Sequence, residues 1–122
     1  MAFSKSNIVA SPGAFNCVQT DATSTVDILK GAAGEILKVE IDNTGNSVAV
    51  YLKAWDTTGS VTVGTTANDF AFKCPASSLR VYSCPNGAAF ANGLKVACVT
   101  EGGGTAGNTS PTADVIYRIL VG

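Results

Sequence analysis

Apolar residues recur at every second position through much of this chain, and no window of ten or more residues keeps the 3.6-residue period of an amphipathic helix. Residues 35–42 place Leu37, Val39 and Ile41 on one side and Lys38, Glu40 and Asp42 on the other, the pattern of a half-buried strand. Residues 47–55 repeat it, with Val48, Val50, Leu52 and Ala54 opposite Tyr51, Lys53 and Trp55. Between them stands Asn43-Thr44-Gly45-Asn46, residue types that tolerate turn geometry, so the two runs are expected to form a hairpin. Further strands are expected at 69–74 (Phe70 and Phe72 inward), 78–83 (Leu79 and Val81 inward, Arg80 and Tyr82 outward), 93–100 (Leu94, Val96 and Cys98 inward) and 114–121 (Val115, Tyr117, Ile119 and Val121 inward). Weaker alternation marks 14–20 and 25–30.

Seven to nine short strands separated by turn residues predict a single-domain, all-β antiparallel sandwich, jelly-roll-like and of about eight strands. The 122 residues suffice for a real core, because a chain of this length buries roughly two thirds of its unfolded surface. The sandwich is expected over 14–122. An N-terminal arm is expected over 1–13, where Phe3, Ile8 and Val9 stand among small and polar residues. Only 14% of residues are charged, against an ordinary share of ~25%, so the surface has apolar area that a partner could cover. The net charge of −1 offers no basic footprint for a nucleic acid and no polybasic segment for a membrane. Ser4, Lys5, Ser6 and Asn7 interrupt any leader-like apolar segment, so synthesis in the cytoplasm without export is expected.

Chemistry-bearing residues are sparse. The chain has no histidine, which excludes Ser-His-Asp and Cys-His nucleophiles. Its acids are scattered; Asp42, Asp56, Asp69 and Asp114 fall at expected strand ends, where carboxylates ordinarily solvate turns. Gly102-Gly103-Gly104 lacks the lysine and following helix of a phosphate loop. No catalysis, metal or cofactor is expected. Cys17 and Cys98 read as small core residues. Cys74 and Cys84 each precede a proline and flank a second expected hairpin, which would bring them close; cytoplasmic synthesis favours free thiols over a disulfide there. Trp55, beside Tyr51 and away from the expected core, is either a covered side chain or an aromatic platform for a sugar or a partner subunit. Residues 101–113, with Thr105, Asn108 and Pro111, form either a flexible connection or a contact arm that orders on a neighbour.

The order of phrases is informative. A strand, an Asn-Thr turn and a second strand run from Val39 to Asp56 and end in Tyr-Leu-Lys-x-x-Asp. Val63-Gly64-Thr65-Thr66 follows, then a Phe/Pro stretch, the Gly-Ala-Ala-Phe-Ala-Asn-Gly-Leu-Lys-Val-Ala-Cys-Val-Thr run of residues 87–100, the Gly/Thr loop and a closing strand. Over residues 35–122 this resembles small β-sandwich virion proteins of tailed bacteriophages. The resemblance implies a capsid decoration or cement protein that stabilises the mature shell, with the major capsid protein or other virion proteins as partners and trimers as the favoured oligomer. A tail, neck or fibre-associated virion protein is the nearest alternative, and a carbohydrate-binding module using Trp55 and Tyr51 is the alternative from another class. The four cysteines depart from the pattern of the family.

Overall fold

A computed structural model describes residues 3–7, 14–105 and 107–122, and among them every regular element is a strand. In chain order these are β1 (Phe3–Asn7), β2 (Phe15–Gln19), β3 (Asp27–Lys30), β4 (Gly34–Asp42), β5 (Val50–Trp55), β6 (Phe70–Cys74), β7 (Leu79–Phe90), β8 (Leu94–Val99) and β9 (Ile116–Val121). They form a five-stranded sheet, β1-β2-β9-β4-β7, and a four-stranded sheet, β3-β8-β5-β6, with every pairing antiparallel. The pairs β2–β9, β3–β8, β4–β7 and β5–β6 are nested inside one another. A long hairpin rolled around a barrel-shaped core has this connectivity, so the fold is a jelly-roll sandwich. Residues 3–7, expected within an N-terminal arm, add β1 to the free edge of β2.

Alternation places the core correctly in most strands. Leu94, Val96 and Cys98 of β8 meet Val115 and the inward residues Tyr117, Ile119 and Val121 of β9 in one inter-sheet cluster. Each fully buried side chain of this size contributes ~1.5–3 kcal/mol by leaving water. In β4 the inward set is Ile36, Val39 and Ile41; Leu37 is displaced because the pairing with both β7 and β9 shifts register at that point. On the β7 side the same irregularity takes up Cys84 to Gly87. Gly87 has a φ of 76° and packs so tightly on Glu35 that a Cβ would lie 2.0 Å from its carboxylate, so only glycine fits.

The expected hairpin between 35–42 and 47–55 does not form. Both edges of β4 are taken by β7 and β9, and both edges of β5 by β6 and β8, so the intervening turn crosses from one sheet to the other. Two buried asparagines hold that crossover. Asn43 Nδ2 donates to the carbonyls of Val48 (2.9 Å), Pro75 (3.1 Å) and Cys74 (3.4 Å). Asn46 Nδ2 donates to Asn43 Oδ1 (2.9 Å) and to the Ala113 carbonyl (3.1 Å), while its Oδ1 accepts from the Ala113 amide (2.9 Å). Val48, expected inside, lies in this crossover and is exposed.

β7 is turned over relative to expectation. Leu79 and Val81 are 49% and 47% exposed, and Tyr82 faces inward. The Tyr82 ring packs tilted on Phe72, 5.4 Å between centroids, and its hydroxyl donates to the Lys73 carbonyl. That contact joins the edge strands of the two sheets, and it selects the aromatic for the inner side. The second expected hairpin is also absent, because β6 and β7 lie in different sheets. Cys84 sits within β7, and Cys74 ends β6 with its thiol donating to the Ile41 and Ser78 carbonyls; all four cysteines are free.

Candidate functional site

The two sheets differ in how their outer faces are covered. On the four-stranded sheet, Lys53, Trp55, Ala97 and Val99 point away from the inter-sheet core yet are at most 2% exposed. The β5–β6 and β8–β9 connections lie over them. Trp55 Nε1 donates to the Thr66 carbonyl (3.0 Å), the Asn68 amide donates to the Gly104 carbonyl (2.9 Å), and Gly102 rests against the Tyr51 ring. This layer also buries a cation. The Glu101 carboxyl is held below the usual range first by the Thr109 hydroxyl and in smaller part by Lys53.

Trp55 is therefore covered and offers no platform for a sugar ring. As the chain's one tryptophan, it is expected to fluoresce at short wavelength and to resist an aqueous quencher until the protein unfolds. Equal quenching of native and unfolded protein would contradict this placement. The 101–113 loop is tied to its own chain: the Thr109 amide donates to Glu101 Oε1 (3.1 Å) and the Ser24 amide donates to Ser110 Oγ (3.0 Å). Within it Thr105 and Asn108 are exposed and Pro111 is half-buried. Phe3 packs partly buried against the core, and Ile8 and Val9 lie outside the described residues. The structure does not gather these expected contact residues into one site.

Most carboxylates are engaged in holding the fold. Asp56 accepts from the amides of Ala91 (2.8 Å), Asn92 (2.8 Å) and Gly93 (3.4 Å), capping the β7–β8 turn, and these bonds hold its carboxyl below the usual range. Asp69 accepts from the Asp56 amide (2.7 Å), and Asp42 accepts from the amide and hydroxyl of Thr44 (3.0 and 2.7 Å). Asp27 is buried between Gln19 Nε2 (3.2 Å) and the Tyr117 hydroxyl (2.7 Å), both donating to it. Among the described residues no pocket is found and no three His, Cys, Asp or Glu side chains gather as a metal-binding set.

Among the described residues, no loop is held over the outer face of the five-stranded sheet in the same way. Its register is clear from the ladders. The middle row reads Ser4, Val18, Arg118, Glu40 and Val81 from β1 to β7. On one side lies the row Ser6, Asn16, Leu120, Lys38 and Ser83; on the other, Ile116, Asp42 and Leu79. Lys38, Arg118, Leu79 and Val81 are exposed, and Val18, Ile116 and Leu120 are half-buried. Arg118 Nη1 donates to Glu40 Oε2 at 2.8 Å. Hydrogen bonds from Thr44 and, more weakly, the Arg118 charge hold Asp42 below the usual carboxylate range. Apolar side chains thus flank a central strip of two cations and two carboxylates. The sequence carried one signal of this face: in β9 the outward positions 116 and 120 are apolar too, which a solvated strand face does not require.

Comparison with known proteins assigns no relationship: no protein family, curated protein or solved structure matches the chain.

Proposed function

We propose that this chain is a structural protein of a bacteriophage virion, a capsid decoration or cement protein made in the host cytoplasm that binds the major capsid protein of the mature shell. The observation that carries the reading is the unequal cover of the two sheets. One outer face is closed by the chain's own loops, and among the described residues the other presents a mixed apolar and charged surface. The phrase order over residues 35–122, which resembles small virion proteins, supports the same reading. So does the engagement of Asp27, Asp42, Asp56 and Asp69 in structural hydrogen bonds. A shell offers many copies of one binding surface, so a modest contact becomes effectively permanent through high local concentration.

The test uses purified protein and expanded particles that lack it. Added protein is expected to bind to saturation and to raise the temperature at which particles rupture and release DNA. Unchanged rupture at full occupancy removes the cement role. A labelled copy found by electron microscopy only on the tail assigns the protein to the tail instead.

A further inference from the structure

We infer that Asn86 is a self-modification site: its side-chain amide cyclises onto the Gly87 nitrogen and hydrolyses to aspartate and isoaspartate, while the chain's other Asn-Gly pair, Asn92-Gly93, is protected. The inference is independent of the proposed role on a shell. In the reaction the Gly87 nitrogen attacks Asn86 Cγ and gives up its proton to a solvent base. The N–Cγ bond forms, the Cγ–Nδ2 bond breaks and ammonia leaves. Water then opens the resulting succinimide at either carbonyl. The net change consumes water and releases ammonia, with no oxidant and no enzyme. An Asn-Gly pair reacts when the nitrogen is unhindered, which the missing side chain of glycine supplies, and when the peptide can swing that nitrogen towards Cγ. A regular ladder or a pinned turn forbids the swing.

The bulge in β7 leaves Asn86 that freedom. β4 and β7 pair Lys38 with Ser83 and Ile36 with Ala88, so residues 84–87 stand opposite Leu37 alone, outside the regular register. Asn86 is exposed, and among the described residues no hydrogen bond holds its side chain. The group against the Gly87 Cα is the Glu35 carboxylate, the end of a side chain that can rotate aside. Asn92 is also exposed, so exposure does not separate the two pairs. Confinement does. Asp56 accepts from the Ala91, Asn92 and Gly93 amides (2.8, 2.8 and 3.4 Å), so the attacking nitrogen and the peptides before it are already held. Gly93 is buried, and a Cβ there would lie 2.9 Å from the Lys30 carbonyl oxygen and 3.0 Å from that of Thr57, so backbone walls it in. Each event at Asn86 replaces a neutral amide by a carboxylate and takes the net charge from −1 to −2. Isoaspartate also adds a methylene to the main chain, which the bulge absorbs without moving the ladder on either side.

The test holds the full chain in mildly alkaline buffer at physiological temperature. Ion exchange follows the added charge, and peptide mapping by mass spectrometry with an isoaspartate methyltransferase assay locates it. In the folded protein Asn86 is expected to convert ~10-fold or more faster than Asn92, the factor that a charge-assisted hydrogen bond to be broken imposes on a rate. In the urea-unfolded chain the two pairs are expected to convert alike, because Asp56 no longer holds Gly93. Asp56→Ala is expected to bring Asn92 up to the rate of Asn86, and Asn86→Gln to remove the fast gain of charge. Circular dichroism checks that Asp56→Ala folds; should it not, the comparison of folded and unfolded wild type carries the test of protection. Four results would overturn the inference: an Asn86 that stays intact in the folded protein while the unfolded chain reacts, equal rates at the two pairs in the folded protein, faster conversion at Asn92, or an unchanged gain of charge in Asn86→Gln.

Discussion

Replacing Asn43 with alanine is expected to lower the unfolding free energy by ~3 kcal/mol, seen as a lower urea midpoint with an unchanged slope. Asn43 is fully buried, and its amide serves carbonyls from three residues, Val48, Cys74 and Pro75. Its Oδ1 also accepts from Asn46. Alanine removes all of these partners and leaves backbone acceptors in a dry site, each costing ~1–3 kcal/mol when unsatisfied. Asn46→Ala acts on the same crossover, and the two losses should fall short of additive because they share the Asn46–Asn43 bond. A cost for Asn43→Ala below ~1 kcal/mol would mean that the crossover is held by something other than these side chains.

Stability is expected to fall steeply as pH rises above the ordinary thiol range. Burial is the main cause that pushes Cys17 up to about 11 and Cys98 up to about 12, from 9.0. Lys5 partly offsets the shift at Cys17, and Cys74 adds to it at Cys98. Burial, followed by the hydrogen bond to Asp27, likewise raises Tyr117. In the unfolded chain these groups ionise near their ordinary values, while the folded chain keeps them neutral. Their contribution is therefore fully present below the unfolded pKa and is lost as pH climbs towards the folded one. For Cys98 this amounts to ~1.4 kcal/mol per pH unit between the two values. Urea midpoints taken from neutral pH to about 11 should trace the decline, and Cys98→Ala should flatten it by that slope. A stability that stays level from pH ~8.5 to ~10.5 would contradict the buried, neutral state of these thiols.

The strands and most of their inner faces were legible because alternation reports which side of a strand is buried. β8 and β9 follow it fully: Leu94, Val96, Cys98, Tyr117, Ile119 and Val121 all reach the core. Alternation does not report which strands pair. The Asn43–Gly45–Asn46 chemistry suits a hairpin and a sheet-to-sheet crossover alike, and only the buried partners of Asn43 and Asn46 distinguish them. Val81 and Tyr82 both fit an edge strand, and the inner place went to the residue that could reach Lys73 and Phe72 across the sandwich. Leu37 missed the core through a bulge that alternation cannot encode. Of the two readings open for Trp55, the covered one holds; the sequence could not choose, because a strand packed on the core by one face and covered by distant loops on the other looks half-exposed in its own sequence. The outer face of the five-stranded sheet escaped notice for a related reason. Its residues come from five strands, and only the ladders bring Val18, Arg118, Glu40 and Val81 into one row.

The nested pairing sets how this chain can reach its native state. Among the described strands, only β5–β6 in the four-stranded sheet and β1–β2 in the five-stranded sheet pair neighbours in sequence. Each further ring of the roll closes a longer loop, ending with Phe15 against Val121. Loop closure must come before those contacts repay it, so folding belongs to the slow, millisecond-to-second class of topologies rich in distant contacts. β9 lies between β2 and β4, so a ribosome-bound chain that has not yet released β9 holds the edges of both without their partner. During that interval the half-built sheet is the species most exposed to pairing with a neighbouring chain.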